Sequence, residues 1–390
     1  MPTLQFTLRV ISPAFVAGAT PYRIQDPDIQ ISIHSDALRI PSLKGVLRFW
    51  FRTLFAYRPP EFIKTYEERV FGSTQAGQGF RLRLIGVANA RYGNVETTYR
   101  NQFKYLGYGP FGDRKAILPG ATFRFVATGD PEQLTALKTT LRLLHLFGGI
   151  GARSRRGWGS LAVSESSEPI LLPYTNRHSV KTWVETNLNS VFDQSIWAQI
   201  EDQLPLFSAF SPHHRIRITA PEPIDSDNQN YQKILKKFYD AFRAVRHYQG
   251  DSYGRIDHDQ EYGDYENQEF STIPFRMAFG FPFNVGSRTT DMGIRYVAHF
   301  NDKDIDRRAS PLILKVLEGP DNNLYGLALF LKSHFFPQEA IITAQYRSYR
   351  GELPRYDRYS PMEGEAFFDS FDPERWAAVE EFLQHRILRE

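Results

Sequence analysis

The chain has 390 residues and no cysteine among them. This absence excludes disulfide bonds, thiolate metal sites and cysteine nucleophiles, and it is typical of a protein that works in a reducing cytoplasm. No apolar run reaches the roughly 18 residues that a membrane-spanning helix needs. The N-terminus lacks the basic segment and apolar core of a secretory signal. We therefore expect a cytoplasmic protein without a membrane partner.

Motifs for nucleotide binding are also missing. No Gly-x-x-x-x-Gly-Lys-Ser/Thr sequence occurs, which argues against a Walker-type site. Gly149-Ile150-Gly151 starts like a dinucleotide fingerprint, but Ser154 occupies the third glycine position and the loop follows an expected helix instead of a strand. We expect no small-molecule cofactor.

Catalytic and metal-binding side chains form no recognisable cluster. His213 and His214 are adjacent, so in a strand they point to opposite faces and make a poor chelate. His34 and His145 remain candidates for a general base. His145 lies in a leucine-rich helix, however, where a packed histidine is the commoner case. We therefore expect no metal site and no catalytic residue.

Charge is unevenly distributed along the chain. The first 165 residues hold 22 Lys and Arg against 11 Asp and Glu, whereas the remainder hold 25 against 33. Such an excess of cations in one half predicts a surface for a polyanion. The 42% hydrophobic and 14% aromatic residues indicate a folded protein, and the length favours two domains.

A glycine-rich and arginine-rich loop occupies residues 148–160. Its glycines remove the Cβ atom where the backbone must bend or approach something closely. Its three arginines, Arg153, Arg155 and Arg156, carry planar, permanently charged groups suited to phosphate oxygens. We interpret the loop as the holder of an extended polyanion at a domain surface; a plain turn with solvated arginines is the alternative.

The first expected helix carries a basic ridge. Residues 40–55 show the apolar stripe of an amphipathic helix, and Pro41 suits its first turn. Lys44, Arg48 and Arg52 recur every four residues, and the helix has no acidic residue. The ridge predicts binding to a phosphate backbone, against the alternative of an ordinary solvated face. We expect this helix and the glycine-rich loop to form one surface.

The order of expected elements predicts an α+β fold. Strand 4–11, the first helix, strands 81–87 and 122–126, a helix capped by Asp130 and Gln133, and strand 160–163 follow the split βαβ, or ferredoxin-like, pattern. In the second half, strand 215–218 and helix 232–248 are followed by further β-like segments at 273–285, 312–317 and 324–331. We expect tandem ferredoxin-like (RRM-like) domains at residues 1–165 and 166–390. The roles of residues 251–269 and of the Tyr/Arg stretch 346–359 stay open.

Three motifs make the chain resemble the RAMP superfamily of CRISPR proteins, and within it the subunit family counted first in type III-B (Cmr) effector complexes. They are residues 41–52, the loop 148–160, and Arg307-Arg308-Ala309-Ser310-Pro311-Leu312. The resemblance implies tandem ferredoxin-like RAMP domains and no nuclease activity of the subunit's own. It also implies a place at the end of the filament, on the 3′ side of the guide RNA.

These observations predict a non-catalytic RNA-binding subunit of a type III-B complex in antiviral defence. It would contact the 3′ side of the guide RNA or the guide–target duplex, with guide RNA, target RNA and other RAMP subunits as partners. A RAMP endoribonuclease that processes guide precursors, or a protein-interaction subunit without RNA contact, are the alternatives. The expected RNA-binding residues are Lys44, Arg48, Arg52, Gly149, Gly151, Arg153, Arg155, Arg156, Gly157, Trp158 and Gly159.

Overall fold

The computed structural model describes residues 1–16, 38–75, 77, 79–107, 110–112, 114–165, 169–174, 179–192, 203–225, 229–246, 257, 275–280, 283–287, 292–301, 303–305, 309–336, 340–348 and 376–388. Predictions that concern His34, Arg307-Arg308, most of 251–269 and residues 349–359 lie outside these residues.

The first part of the chain alternates strands and helices around one sheet. The elements are β1 (Thr3–Val10), α1 (Ile40–Arg52), α2 (Pro60–Phe71), β2 (Arg81–Ala88), β3 (Tyr92–Gly93), α3 (Arg100–Leu106), β4 (Ala116–Ile117), β5 (Thr122–Thr128), α4 (Pro131–Phe147) and β6 (Leu161–Glu165). The first sheet has the order β2-β5-β1-β6, and all neighbours are antiparallel. The short strands β3 and β4 pair with each other.

The second part builds two further sheets. Its elements are α5 (Val180–Asn189), β7 (Arg215–Ile218), β8 (Glu222–Pro223), α6 (Tyr231–Arg246), β9 (Phe283–Ser287), β10 (Met292–Phe300), β11 (Lys303–Ile305), β12 (Leu312–Glu318), β13 (Asn323–Phe330), β14 (Ile341–Ser348) and α7 (Ala377–Gln384). One sheet has the order β12-β13-β7, with β8 beside β13. The other has the order β11-β10-β14, with β9 beside β10.

The first sheet buries one face under its helices. Alternate residues of β1 are buried, and Phe6 stacks on Phe125 of β5 with ring centroids 5.4 Å apart. Leu47 of α1 and Leu141 of α4 belong to the same hydrophobic cluster as these rings. Both helices therefore cover the same face, and the order β2-β5-β1-β6 is the strand order that the split βαβ pattern predicts. The opposite face of the sheet carries Gln5 and other exposed polar residues.

Most of the expected elements are present, and the α+β class is confirmed. The segment 273–285 differs from its prediction: Phe275–Phe279 form a 3₁₀ turn, and only Phe283–Ser287 are a strand. Strand β7, helix α6 and the hairpin β12–β13 repeat the first steps of the split βαβ order. Within the described residues no fourth strand lies beside β7, so the second ferredoxin-like unit stays a prediction.

None of the helices in the described part is long and apolar enough to span a membrane.

Candidate nucleic-acid interface

The glycine-rich loop lies between the first sheet and β12, with the exposed Arg153 at its tip. Its base closes where the Ile150 N–H donates to the Gly159 carbonyl at 2.8 Å. The Arg155 carbonyl then accepts from the Leu314 N–H at 3.1 Å, so the loop pairs with the edge of β12. Because an exposed strand edge must be covered, the loop serves the second part of the chain as well as the first.

Gly149 and Gly151 let the backbone of the loop pass close to its neighbours. A Cβ atom on Gly149 would lie 2.8 Å from the Gly159 carbonyl oxygen, and one on Gly151 would lie 2.6 Å from the Phe15 carbonyl oxygen. The adjacent Ala152 N–H donates to that same Phe15 carbonyl at 2.9 Å. These glycines therefore fix the path of the loop, and contact between them and RNA stays a prediction.

The last two loop glycines are needed for conformation and for packing. Gly157 has φ +84° and Gly159 has φ +62°, values that favour glycine. A Cβ atom on Gly157 would lie 2.7 Å from Leu235 of α6, and one on Gly159 would lie 1.9 Å from the Ile150 carbonyl oxygen. A side chain at either position would push the two parts of the chain, or the two arms of the loop, apart.

Trp158 anchors the loop from inside. Its side chain is fully buried, and its ring lies against Phe15, Phe103 and Phe111 at centroid distances of 5.2, 5.4 and 5.5 Å. Phe103 belongs to α3, so the aromatic insertion between β2 and β5 supports the loop. No face of the indole is open to a base in this conformation, and any effect of Trp158 on RNA binding would act through the loop.

The three loop arginines have different surroundings. Arg153 is exposed at the tip, with φ +61°. Arg156 points inward: it donates to the Phe279 carbonyl at 3.0 Å and lies 4.5 Å from the centre of the Phe242 ring. Burial, reinforced by the charge of Arg246, lowers the pKa of Arg156 to about 9. Arg153 is thus placed to meet a ligand, whereas Arg156 joins the loop to the second part of the chain.

Arg155 is the residue at which the three sequence motifs meet. Its guanidinium lies 4.6 Å from the centre of the Phe49 ring on α1, and it donates to the Ser310 carbonyl at 2.5 Å. Phe49 belongs to motif 41–52 and Ser310 to motif 307–312. The expected contact between the first helix and the loop therefore exists, although Phe49 makes it instead of the basic ridge.

The basic ridge of α1 faces an acid that the helix pattern did not show. Arg48 donates to Glu67 of α2 at 2.7 Å, and Arg52 donates to the same carboxylate at 2.9 Å. The Glu67 side chain is 8% exposed, against 27% for Arg48 and 51% for Arg52. Burial alone would raise the pKa of Glu67, but the hydrogen bonds from Arg52 and Arg48 outweigh it and lower the pKa. The ridge joins α1 to α2 and keeps part of each guanidinium in solvent.

Lys44, the third ridge residue, is half-buried. Its Nζ donates to the Phe80 carbonyl at 3.3 Å and lies 4.9 Å from the centre of that ring. Burial and the nearby charge of Arg48 lower the pKa of Lys44. Whether any of the three ridge cations binds phosphate stays a prediction.

Lys315 is a functional candidate that sequence reasoning missed. It lies on β12, is 1% exposed, and donates to the backbone carbonyls of Leu144, Gly148 and Leu161. Three acceptors match the three donors of an ammonium group, and the carbonyls at the end of α4 favour a cation. Burial lowers the pKa of Lys315 well below its ordinary value. The available signal was a single lysine inside the apolar strand Leu312–Glu318.

His145, the one general-base candidate among the described residues, is enclosed by the fold. His145 is 7% exposed, and its Nδ1 accepts from the Val163 N–H at 3.0 Å. Burial and the charge of Lys315 lower the pKa of His145 to about 3, so the ring is neutral and enclosed at physiological pH. His214 places its Nδ1 against the Ser211 carbonyl. Among the described residues, no three or more His, Asp or Glu side chains lie together in a group that could hold a metal ion.

Comparisons with known proteins agree with this architecture. Residues 7–162 match the RAMP superfamily. The CRISPR system Cmr subunit Cmr1-1 of Pyrococcus furiosus is 30% identical over 144 residues, which are 34% of this chain and 43% of that protein. Subunit Cmr1-2 of the same organism is 27% identical over 195 residues, which are 43% of this chain and 97% of that protein. The chain thus spans less than half the length of the first relative.

Two solved structures share the fold. The crystal structure of Cmr1 from Pyrococcus furiosus (apo form) aligns with a TM-score of 0.53 and 19% identity, covering 87% of this chain and 90% of that one. A chain of the type III-B Cmr-beta structure bound to cognate target RNA aligns with a TM-score of 0.52 and 14% identity, covering 98% and 99%. At these identities the likeness establishes the fold alone.

The match over residues 7–162 makes the first part of the chain similar to the RAMP superfamily. This part contains the sheet β2-β5-β1-β6 and the glycine-rich loop that follows α4. The two sequence relatives described above are both Cmr1 subunits. The chain is similar to Cmr1-type RAMP proteins, and the resemblance predicted from the three motifs is confirmed.

Proposed function

We propose that this chain is a non-catalytic RNA-binding subunit of a type III-B CRISPR effector complex in the cytoplasm. Its partners are guide RNA, target RNA and other RAMP subunits, and it contacts the 3′ side of the guide or the guide–target duplex. The observation that supports this most is the meeting of three motifs at Arg155, with the exposed Arg153 two residues away. The related chain from a complex bound to cognate target RNA is in accord with it.

The proposal includes two ferredoxin-like units, at residues 1–165 and 166–390. The first is supported by the order β2-β5-β1-β6, and the second by strand β7, helix α6 and hairpin β12–β13. The loop that we assign to RNA lies between the two sheets, so both units shape the surface that the RNA meets.

Arg153 offers the cleanest test, because it is exposed whereas Arg155 and Arg156 are partly buried. We choose Arg153→Asn, since asparagine tolerates a positive φ better than most residues. Arg243→Gln, an exposed arginine on α6, is the matched control. Loss of one phosphate contact should reduce the slope of log affinity against log salt by about 0.7 and weaken binding at 0.1 M salt by about fivefold.

The measurement uses the full chain, a labelled single-stranded guide-type RNA, and a salt series in EDTA. Weaker, less salt-dependent binding by Arg153→Asn, with an unchanged control and intact RNA, supports the proposal. Cleavage of the RNA would favour the endoribonuclease alternative. Absence of salt-dependent binding by the wild-type chain would favour a protein-interaction subunit.

A further inference from the structure

The face of the first sheet that points away from α1 and α4 carries three exposed arginines, Arg81, Arg83 and Arg124. On β5, Arg124 alternates with the buried Phe123 and Phe125, so it points to the opposite side. Arg83 pairs in register with Val126, and Arg81 pairs with Thr128, which places both on the face of Arg124. All three arginines are exposed.

Within the described residues, no carboxylate pairs with Arg81, Arg83 or Arg124. Strands β1, β2 and β5 contain no aspartate or glutamate. Within the described part of the chain, the side chains of Arg81, Arg83 and Arg124 make no hydrogen bond or ion pair. Arg9 on β1 lies on the same face and does have a partner, because it pairs with Glu318 of β12. The face is therefore neutralised on the side of the second part of the chain and left cationic on the side of β2.

Protection of a sheet edge explains only part of this pattern. β2 is an edge strand with an irregularity between Leu84 and Gly86, and charged residues or bulges on edge strands prevent unwanted pairing. Arg81 and Arg83 fit that role. Arg124 does not, because β5 is an interior strand; its guanidinium lies over Gly86, where a Cβ atom would be 2.7 Å from Nε. The absence of a side chain at Gly86 leaves room for that arginine on the face.

The side chains on this face favour an anionic ligand. Two arginines on one strand are about 7 Å apart, and the next strand is about 4.8 Å away, so the cations form a flat patch suited to a chain of anionic groups. The outward positions of β1, β2 and β5 carry no aromatic residue, so bases have no stacking partner. A protein interface would require an apolar or aromatic centre; the large apolar side chains exposed nearby are Ile85 and Val87, in and beyond the irregular part of β2.

We propose that this face binds the sugar–phosphate backbone of RNA, as a second contact separate from the glycine-rich loop. The inference rests on the proposed function and extends it. The contact is independent of base sequence, because guanidinium groups that meet phosphates position the strand without reading it. It gives the RNA a path from the loop across the open side of the first sheet.

The test removes the three charges together, as Arg81→Gln, Arg83→Gln and Arg124→Gln in one full-length chain. A matched control removes three exposed cations elsewhere: Lys64→Gln, Arg243→Gln and Lys303→Gln. Binding of a labelled single-stranded RNA of mixed sequence is measured over a salt series. Loss of three phosphate contacts should reduce the log–log salt slope by about 2 and weaken binding at 0.1 M salt by up to about 100-fold, with the control near wild type.

A variant with lysine at the same three positions is the control for misfolding. It keeps the positive charge, so it should retain most of the RNA affinity if the charge itself makes the contact. If the glutamine variant binds like wild type while Arg153→Asn is weakened, the second contact is wrong and the proposed function stands. If the face variant is weakened and Arg153→Asn is not, the face is supported and the loop assignment fails. Competition by polyglutamate as strong as that by RNA would overturn the inference in favour of an acidic protein.

Discussion

Acidification should destabilise this protein through His145, a residue that takes no part in the proposed RNA contacts. His145 lies at the end of α4, 7% exposed, with its Nδ1 occupied by the Val163 N–H. Burial, with a contribution from the charge of Lys315, lowers the pKa of His145 from 6.5 to about 3. In the unfolded chain the ring titrates near its ordinary value, so the two states bind different numbers of protons between these pH values.

The direction of the effect follows from that difference. Below pH 6.5 the unfolded chain takes up a proton that the folded chain does not, and stability falls as the pH falls. The slope is about 1.4 kcal/mol per pH unit for one proton. Between pH 6.5 and pH 5 the loss is about 2 kcal/mol, a large part of the roughly 5–15 kcal/mol by which folded proteins are stable.

Urea unfolding of the wild type and of His145→Asn at several pH values between 7 and 5 measures this loss. Asparagine places an acceptor oxygen near the position of Nδ1 and carries no titrating group. We expect the wild type to lose about 2 kcal/mol more than the variant over this range, whatever constant difference the substitution itself introduces. Parallel stability–pH curves for the two proteins would refute the reasoning.

Three further substitutions test the packing of the site. Glu67→Gln should lower the free energy of unfolding by about 1–3 kcal/mol and raise RNA affinity by releasing two arginines; an unchanged affinity would restrict those arginines to helix packing. Gly159→Ala should cost about 2–4 kcal/mol in urea unfolding, because its methyl group would lie 1.9 Å from the Ile150 carbonyl oxygen. The control is Gly45→Ala on helix α1, where a Cβ atom would have no neighbour within 4 Å. This substitution should raise the free energy of unfolding by about 0.5–1 kcal/mol. Lys315→Met should lower both RNA affinity and the free energy of unfolding, since it removes the donor for the carbonyls at the base of the loop. Lower stability with unchanged RNA affinity would show that Lys315 does not act on RNA binding through the loop.

Local sequence signals predicted the first sheet well. Alternation of apolar residues located β1, β2 and β5, and the capping pair of Asp130 and Gln133 located the start of α4. The structure contains that cap, with the Asp130 N–H donating to the Gln133 side chain at 3.1 Å. Each signal depends on residues at most four positions apart, and such short-range patterns can be read without knowledge of the tertiary fold.

The surroundings of the site were less predictable because they depend on distant residues. The spacing of Arg48 and Arg52 shows that they share a helix face, but it does not show that Glu67 of another helix approaches that face. Glycines in the loop indicate a bend, and say nothing about whether β12 covers it. Lys315 was the hardest to foresee, since its partners are backbone carbonyls, which have no sequence signature and lie more than 150 positions earlier.

That separation has a consequence for how the protein is made. The Leu161 carbonyl gains its hydrogen bond only after Lys315, 154 residues later in the chain, has been synthesised. At synthesis rates of about 5–20 residues per second, the interval between the synthesis of Leu161 and that of Lys315 is roughly 8–30 s. Until then the first sheet can form, but the loop lacks the ammonium group and the strand edge that hold it in place. We expect protease cleavage at Arg153 in ribosome-bound chains that end before residue 315, and protection in longer ones. The glycine-rich loop would then be completed only when most of the chain has been synthesised.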